Sequence, residues 1–331
     1  MSEPFRVSVI VPVFNAESFL RETVRSALDQ PQVGEILLVE DGSSDGSFAL
    51  CRTLEAESDG RVRVLFHEGH ANRGPGESRN LGIREARCPF LAFLDADDRY
   101  NPGAFDFDER AFADPKVGFV RHALANGFDP DDPDQAWFVG YTGRKNALAK
   151  YHSFVPDGVT PATYFRNLYP MGALSSGIAD ILTIRTSVAR SLGGLPPRDW
   201  AEDTTFHAKL AAAARAAIAP NEPAMAVRRI HSANLSKTKT GIPQYRIDRT
   251  GAAMLDVGAF LKGRRPSAAD RAALHRGWLR FGRRYSAFSS AALLRLRPSD
   301  LIFTGVAVQY LRFYGKMLRE LAAARFRGRR R

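Results

Sequence analysis

Phe90-Leu91-Ala92-Phe93-Leu94, followed at once by Asp95-Ala96-Asp97-Asp98, is the stretch that decides the fold. Five apolar residues with no alternation suit a strand buried on both faces of a parallel sheet. Three carboxylates at the end of such a strand crowd one another, and a cation relieves that crowding. A solvated acidic loop would use the same residues, but the place at the end of a central strand favours a hard divalent ion held by oxygen ligands.

Upstream, Arg6–Val11, Glu35–Val39 and Val62–Phe66 are β-branched or apolar runs that read as strands, alongside Phe90–Leu94. Between them lie helical patterns. In Asn15–Leu28 the apolar residues Leu20, Val24, Ala27 and Leu28 recur at helical spacing, and Asn15 can cap the first turn. Helices over Ser44–Glu57 and Gly76–Ala86 follow the same logic. This alternation predicts an α/β protein with a mostly parallel central sheet flanked by helices. Right-handed crossovers then bring the loops Pro12–Asn15, Glu40–Ser43, His67–Gly76 and Asp95–Asp98 to one edge, where open α/β sheets bind ligands.

Each loop has an ordinary local reading as well. Pro12 suits a strand terminus because it donates to no ladder. Glu40-Asp41-Gly42-Ser43 is a strand–turn–helix connection in which Ser43, Ser44 or Asp45 can cap the next helix, and Asp41 can also accept hydrogen bonds from a base edge. Asn72-Arg73-Gly74-Pro75-Gly76 opens a helix whose first turns hold Arg79 and Asn80, and glycine-rich helix starts accept phosphate oxygens.

Beyond Asn101 the periodicity loosens. Gly127–Asp134 is rich in Pro and Asp, and Trp137–Tyr151 has no clear period, as expected of an excursion over the acceptor side. Asp129–Asp134 is not a calcium loop, since prolines interrupt it and Gly140 stands where the closing Glu belongs. Order returns with a strand over Ile181–Ile184, a helix over Ser187–Leu192, a Gly193–Gly194 turn and a helix over Thr204–Ala217.

The 331 residues, 44% hydrophobic and 25% charged, suffice for a full core. The net charge of +11 is uneven: residues 262–331 hold 18 Lys/Arg against 3 Asp/Glu, which leaves 29 basic and 33 acidic residues in the body. The basic character therefore belongs to the tail, and without zinc spacing, an RNP-like strand or a recognition-helix pattern it does not argue for nucleic acid. Two cysteines, Cys51 and Cys88, make no disulfide framework and fit a reducing cytoplasm. The N-terminus lacks the parts of a signal peptide, so a cytoplasmic location is expected. Leu301–Leu311 is mostly apolar but shorter than the roughly 20 residues that a span needs. With the arginines that follow, Leu301–Arg331 can lie on an anionic membrane surface or pack as a helix on the body.

In order and spacing the four loops resemble the family 2 glycosyltransferases. Pro12-Val13-Phe14-Asn15 matches P-x-[YF]-N; Glu40-Asp41-Gly42-Ser43 matches D-D-G-S with Glu for the first Asp. Asn72, Gly74, Arg79 and Asn80 meet N-x-G-x-x-x-A-R-N with Ser78 for Ala, and Asp95-Ala96-Asp97-Asp98 matches D-x-D-D. Trp200-Ala201-Glu202-Asp203 looks like the family's E-D motif, and His231, Asn234 and Ser236 look like its H-x-x-N-x-S segment.

The resemblance implies a GT-A-type, Rossmann-like fold and transfer of one sugar, with inversion, from a nucleoside-diphosphate sugar to a saccharide or lipid-linked saccharide acceptor. Assembly of cell-surface polysaccharide or glycolipid is the setting it suggests. It places Pro12, Phe14, Asn15, Asp41, Arg79, Asp95 and Glu202 among the substrate-binding residues, with Asp41 at the nucleobase and Asp95 at the ribose or a metal-bound water. It assigns Asp97 to Mg2+ or Mn2+, His231 to that metal or the diphosphate, and Asp203 to the catalytic base. Each has a plainer alternative: Asp203 can cap the following helix, and a lone His is often structural. The implied units are residues 1–100 and 101–245 as the donor and acceptor halves of one domain, with 246–331 as a basic helical extension. The chain has neither the Q-x-x-R-W pattern of processive synthases nor a transmembrane stretch. A sugar-nucleotide pyrophosphorylase would carry G-x-G-x-R where Pro12-Val13-Phe14-Asn15 stands, and a non-catalytic binding module would not need both Asp97 and Asp203.

Overall fold

The structure, a computed structural model, describes residues 5–128, 151–168, 181–197, 201–231, 253, 256–261 and 263–264. The first half runs β1 (Val7–Val13), α1 (Leu20–Leu28), β2 (Val33–Glu40), α2 (Ser47–Glu57), β3 (Val62–Phe66), α3 (Pro75–Glu85) and β4 (Phe90–Phe93). Then come β5 (Arg99–Tyr100), α4 (Asp106–Ala111), β6 (Val117–Arg121), β7 (Leu124–Phe128), β8 (Tyr151–Ser153) and α5 (Tyr164–Leu168). The series ends with β9 (Leu182–Arg185), α6 (Thr186–Ser191), α7 (Glu202–Ala213), β10 (Arg215–Ile218) and β11 (Ala226–Ile230).

A seven-stranded sheet in the order β10-β6-β9-β4-β1-β2-β3 forms the centre, and strands from both sides of residue 100 share it. β1 pairs in parallel with β2 and β4, β2 with β3, and β10 with β6. Only β9 runs the other way, antiparallel to β4 and β6. Helices cover both faces of a mostly parallel sheet, so the central strands are mostly apolar: Val7, Val9, Ile10, Val11 and Val13 are all buried. Burial of each is worth about 1.5–3 kcal/mol. Gly82 lets α3 lie directly on β1, because a Cβ there would meet Ile10 Cγ2 at 2.3 Å.

A smaller sheet, β5-β11-β7-β8, stands beside the main one. The sequence pattern did not foresee it, nor β6. Its strands are two to five residues long, and most of their partners lie far along the chain.

Several boundaries differ from the expected ones. β1 continues through Pro12 to Val13, because its ladder to β4 ends at Ile10 and Pro12 pairs only with Val39 of β2. α1 starts at Leu20, and Asn15 does not cap it: Asn15 is left-handed (φ 50°), and its Oδ1 accepts from Ser44 N–H at 2.8 Å. The helix expected to run to Ala217 stops at Ala213, and Arg215–Ile218 becomes β10 beside β6. Alanine favours helix and is depleted in strands, so here pairing with the buried strand β6 overrides the local preference. Residues 129–150, where the acidic turn and most of the acceptor-side excursion were expected, lie outside the described residues, as does the tail Leu301–Arg331. Of the expected extension 246–331, residues 253 and 256–261 are helical. Among the described residues no helix is long and apolar enough to cross a membrane.

Candidate active site

The loop after β4 carries Asp95, Asp97 and Asp98, whose carboxylate oxygens lie within 4.8 Å of one another. Two neighbouring elements hold the loop. Thr23, on the buried face of α1, places its hydroxyl 2.9 Å from Ala96 O and 2.7 Å from Asp98 O. From β11, Arg229 donates its backbone N–H to Asp98 Oδ1 at 2.8 Å and its Nε to Asp97 O at 3.1 Å. The same guanidinium lies over the Phe19 ring and pairs with Glu22 at 2.5 Å. Asp98 is buried, so part of its carboxylate serves the loop's own architecture. Asp95 and Asp97 remain partly open.

Two residues distant in sequence reach this loop. His231, just past the end of β11, sets Nε2 2.9 Å from Asp97 Oδ2, and its ring packs on Phe19 with centroids 4.5 Å apart. Arg79 of α3 donates Nη2 to Asp95 Oδ1 at 2.6 Å and turns Nη1 towards Glu202 Oε1, 3.7 Å away. One guanidinium thus links the carboxylate loop to the first residue of α7.

Asp203 follows Glu202 in that first turn. Its Oδ1 accepts the N–H of Thr204 at 2.6 Å, and Ala201 before it adopts a left-handed φ of 60°. Burial first, and then the negative charge of Glu202, push the Asp203 carboxyl up to about 7, with Asp95 adding to the rise. Arg79 and the Thr204 N–H pull in the opposite direction without cancelling it. A carboxyl poised there exchanges protons near neutrality, as a general base must.

A second group gathers at the ends of β1 and β2. Phe14 is 46% exposed and offers an open ring face. Asn15 accepts the Ser44 N–H and donates its own backbone N–H to Ser43 Oγ at 3.1 Å. Asp41 is only 2% exposed, and its carboxylate accepts the N–H groups of Arg73 at 2.6 Å and Gly74 at 2.8 Å. Asp41 therefore ties the β3–α3 loop to the end of β2. Glu40, in the place of the first Asp of D-D-G-S, accepts from Ser43 N–H at 2.6 Å and Gly42 N–H at 3.2 Å. Asp45 accepts from Ser47 N–H at 3.0 Å and so caps the start of α2.

The structure thus brings Arg79, Asp95, Asp97, Glu202 and His231 into one chain of contacts, with Asp203 beside Glu202, and groups Asn15, Asp41 and Arg73 in another. Sequence reasoning passed over Thr23 and Arg229 as parts of the site. Thr23 had left a signal, since it is a polar residue on the apolar face of a helix.

The donor set, several carboxylate oxygens with one imidazole nitrogen, fits a divalent cation such as Mg2+ or Mn2+. Asn234 and Ser236, the remainder of the His231 segment, lie outside the described residues, as does Trp200.

Residues 8–129 match glycosyl transferase family 2. The chain is 33% identical over 138 residues to the succinoglycan biosynthesis protein ExoU of Rhizobium meliloti, covering 38% of this chain and 40% of that one. It is 39% identical over 139 residues to the glycosyltransferase GlyG of Streptococcus pneumoniae, covering 42% and 44% respectively. The chain therefore spans less than half the length of these curated relatives. In overall fold it resembles residues 1–349 of S. aureus TarS, solved with UDP-GlcNAc, at a TM-score of 0.60 and 17% identity, over 90% of this chain and 78% of that one. Residues 8–129 are thus similar to glycosyl transferase family 2, and the chain has a GT-A-type α/β fold.

Proposed function

We propose that this chain transfers a single sugar, with inversion, from a nucleoside-diphosphate sugar to an acceptor hydroxyl in a metal-dependent reaction. The observation that carries this reading is the Asp97–His231 pair on one side and Glu202–Asp203 on the other, joined through Arg79 and Asp95. Asp97 and His231 hold Mg2+ or Mn2+, with Asp95 beside them. The ion, when bound, supplies electrostatic stabilisation to the departing diphosphate. Phe14 offers a ring face to the nucleobase, and Asn15, Pro12 and Asp41 shape its loop. Asp203 takes the proton of the acceptor hydroxyl, and Glu202 keeps Arg79 in place between the two halves.

The names of relatives support the setting. ExoU is a succinoglycan biosynthesis protein, and GgaA of Bacillus subtilis, 33% identical over 104 residues, is a minor teichoic acid biosynthesis protein. We infer a saccharide or lipid-linked saccharide acceptor in cell-surface polysaccharide or glycolipid assembly, with the basic tail at an anionic membrane surface on the cytoplasmic side. Residues 1–100 then act as the donor half, 101–245 as the acceptor half and 246–331 as the extension.

A panel of UDP-, GDP- and dTDP-sugars, scored with and without Mn2+ for donor hydrolysis and for thermal shift, tests the reading. One donor should give metal-dependent turnover and stabilisation. Absence of both with every donor overturns it.

A further inference from the structure

Asn80 directly follows Arg79 on α3 and is buried, yet it lies in none of the contacts that form the proposed site. Its carboxamide exchanges two hydrogen bonds with one backbone unit 115 residues away: Nδ2 donates to Leu195 O at 2.9 Å, and Oδ1 accepts the Leu195 N–H at 2.7 Å. Nδ2 also lies 3.2 Å from Glu77 Oε1, which holds the amide's orientation. A neighbouring strand would satisfy Leu195 in the same way, and here one side chain replaces it. Only an amide does so, since a carboxylate cannot donate and an aliphatic side chain can do neither.

The facing chain is fitted to that amide. Gly194 has φ +79°, and a Cβ on it would stand 2.3 Å from Asn80 Oδ1, so any other residue there displaces the contact. At the far end of α3, Arg190 of α6 donates to Ile83 O at 3.1 Å, Arg84 O at 3.0 Å and Ala86 O at 2.6 Å. The α6–Leu195 segment is therefore fastened to α3 at two places. Seven residues after Leu195 the chain reaches Glu202, where Arg79 makes the next contact.

We propose that Asn80 is a positioning residue: α3 holds the Gly194–Leu195 segment through Asn80 and the start of α7 through the neighbouring Arg79, so that Asp203 meets the acceptor opposite the donor held by the β1–β4 loops. The proposal rests on the reading of Asp203 as the base. Its energetic logic is geometric: a displacement of about 1 Å at a reacting group can cost on the order of 10²-fold in rate, while binding of the nucleotide on other loops is untouched. A purely structural staple would instead lower stability and leave the turnover of folded enzyme alone.

Two variants and two readouts test it. Asn80→Ala should leave donor KM and nucleotide affinity within about twofold and lower kcat for transfer by about 10- to 100-fold, at a temperature well below its melting point. Gly194→Ala, which disturbs the contact from the opposite side, should show the same split. Hydrogen exchange should accelerate at residues 193–195 and in the first turn of α7 while β1 and β4 stay protected. Unchanged kcat in folded Asn80→Ala overturns the proposal, and so does exchange that is unaltered or raised evenly across the chain. If the wild-type enzyme turned over no donor, the reading of function would fall, while the exchange measurement would still decide whether Asn80 positions α7.

Discussion

His231 Nε2 and Asp97 Oδ2 lie 2.9 Å apart across 134 residues of sequence, with the Phe19 ring against the imidazole. The contact joins a strand of the small sheet to the loop at the end of the central sheet's β4. It places an imidazole nitrogen beside Asp97, one of three clustered carboxylates that could hold a divalent ion.

The first prediction concerns that ion. Stabilisation of a leaving diphosphate by a metal is worth several kcal/mol. Asp97→Ala should therefore lower turnover by about a thousandfold or more, and EDTA should stop the wild-type enzyme. His231→Ala should raise the Mn2+ concentration needed for half-maximal activity. Full activity of Asp97→Ala, or of wild type in EDTA, removes the metal from the mechanism.

Thr23 is the hydroxyl that holds the carboxylate loop from behind, 2.7 Å from Asp98 O. Thr23→Val keeps the shape and removes the donor, leaving buried carbonyls with one partner fewer. Denaturant unfolding should show a loss of about 1–3 kcal/mol, with weaker Mn2+ binding in the same variant. A stability loss with unaltered metal affinity would separate the loop's packing from its ligand geometry.

Asp203 is tested by Asp203→Asn, which keeps the shape and an acceptor oxygen for the Thr204 N–H. Donor and metal binding should persist while transfer falls by about 10²- to 10⁴-fold. Product NMR should show inversion, a β-linkage from an α-linked donor. Substantial transfer by the variant, or retention at the anomeric carbon, rules out this role.

The raised Asp203 carboxyl predicts two pH dependences. As a base it must be ionised, so kcat should rise about tenfold per pH unit below about 7 and level off above it. For stability, the folded metal-free protein holds this proton between pH 3.8, the ordinary aspartate value, and about 7, where the unfolded chain has released it. This contribution is therefore full below 3.8, declines as pH rises through that window and is gone above about 7. Melting curves of wild type minus Asp203→Asn across pH 4–8 isolate the term. A flat difference curve would show that Asp203 titrates as an ordinary aspartate.

The basic tail gives a further test. Each Lys or Arg near an anionic surface contributes about 1 kcal/mol. Deletion of Ser299–Arg331 should abolish co-sedimentation with anionic vesicles at moderate salt. Binding that is unchanged by the deletion excludes the tail as a membrane anchor.

Much of the site was legible because its parts sit at strand ends. Asp95, Asp97 and Asp98 follow an apolar run that can hardly be anything but a buried strand, and Arg79 opens a helix after a glycine-rich loop. Asp41 is a different case. Its position at the end of β2 was evident, but the two backbone N–H groups that its carboxylate accepts come from a loop 32 and 33 residues away. No local pattern marks such a partner.

The amino-acid sequence by itself determined the parallel half of this protein, because continuous apolar runs and 3.6-residue periodicity are local and β1, β2 and β4 are buried on both faces. It also determined which chemical groups stand at the sheet's edge. Only the tertiary structure decided that Arg215–Ile218 is a strand, that β9 enters the sheet reversed, and that His231, Glu202 and Leu195 reach Asp97, Arg79 and Asn80. The reason is physical: short segments carry weak conformational preferences and the helical preference of alanine can be overridden, so pairing with partners distant in sequence settles both their shape and what they touch.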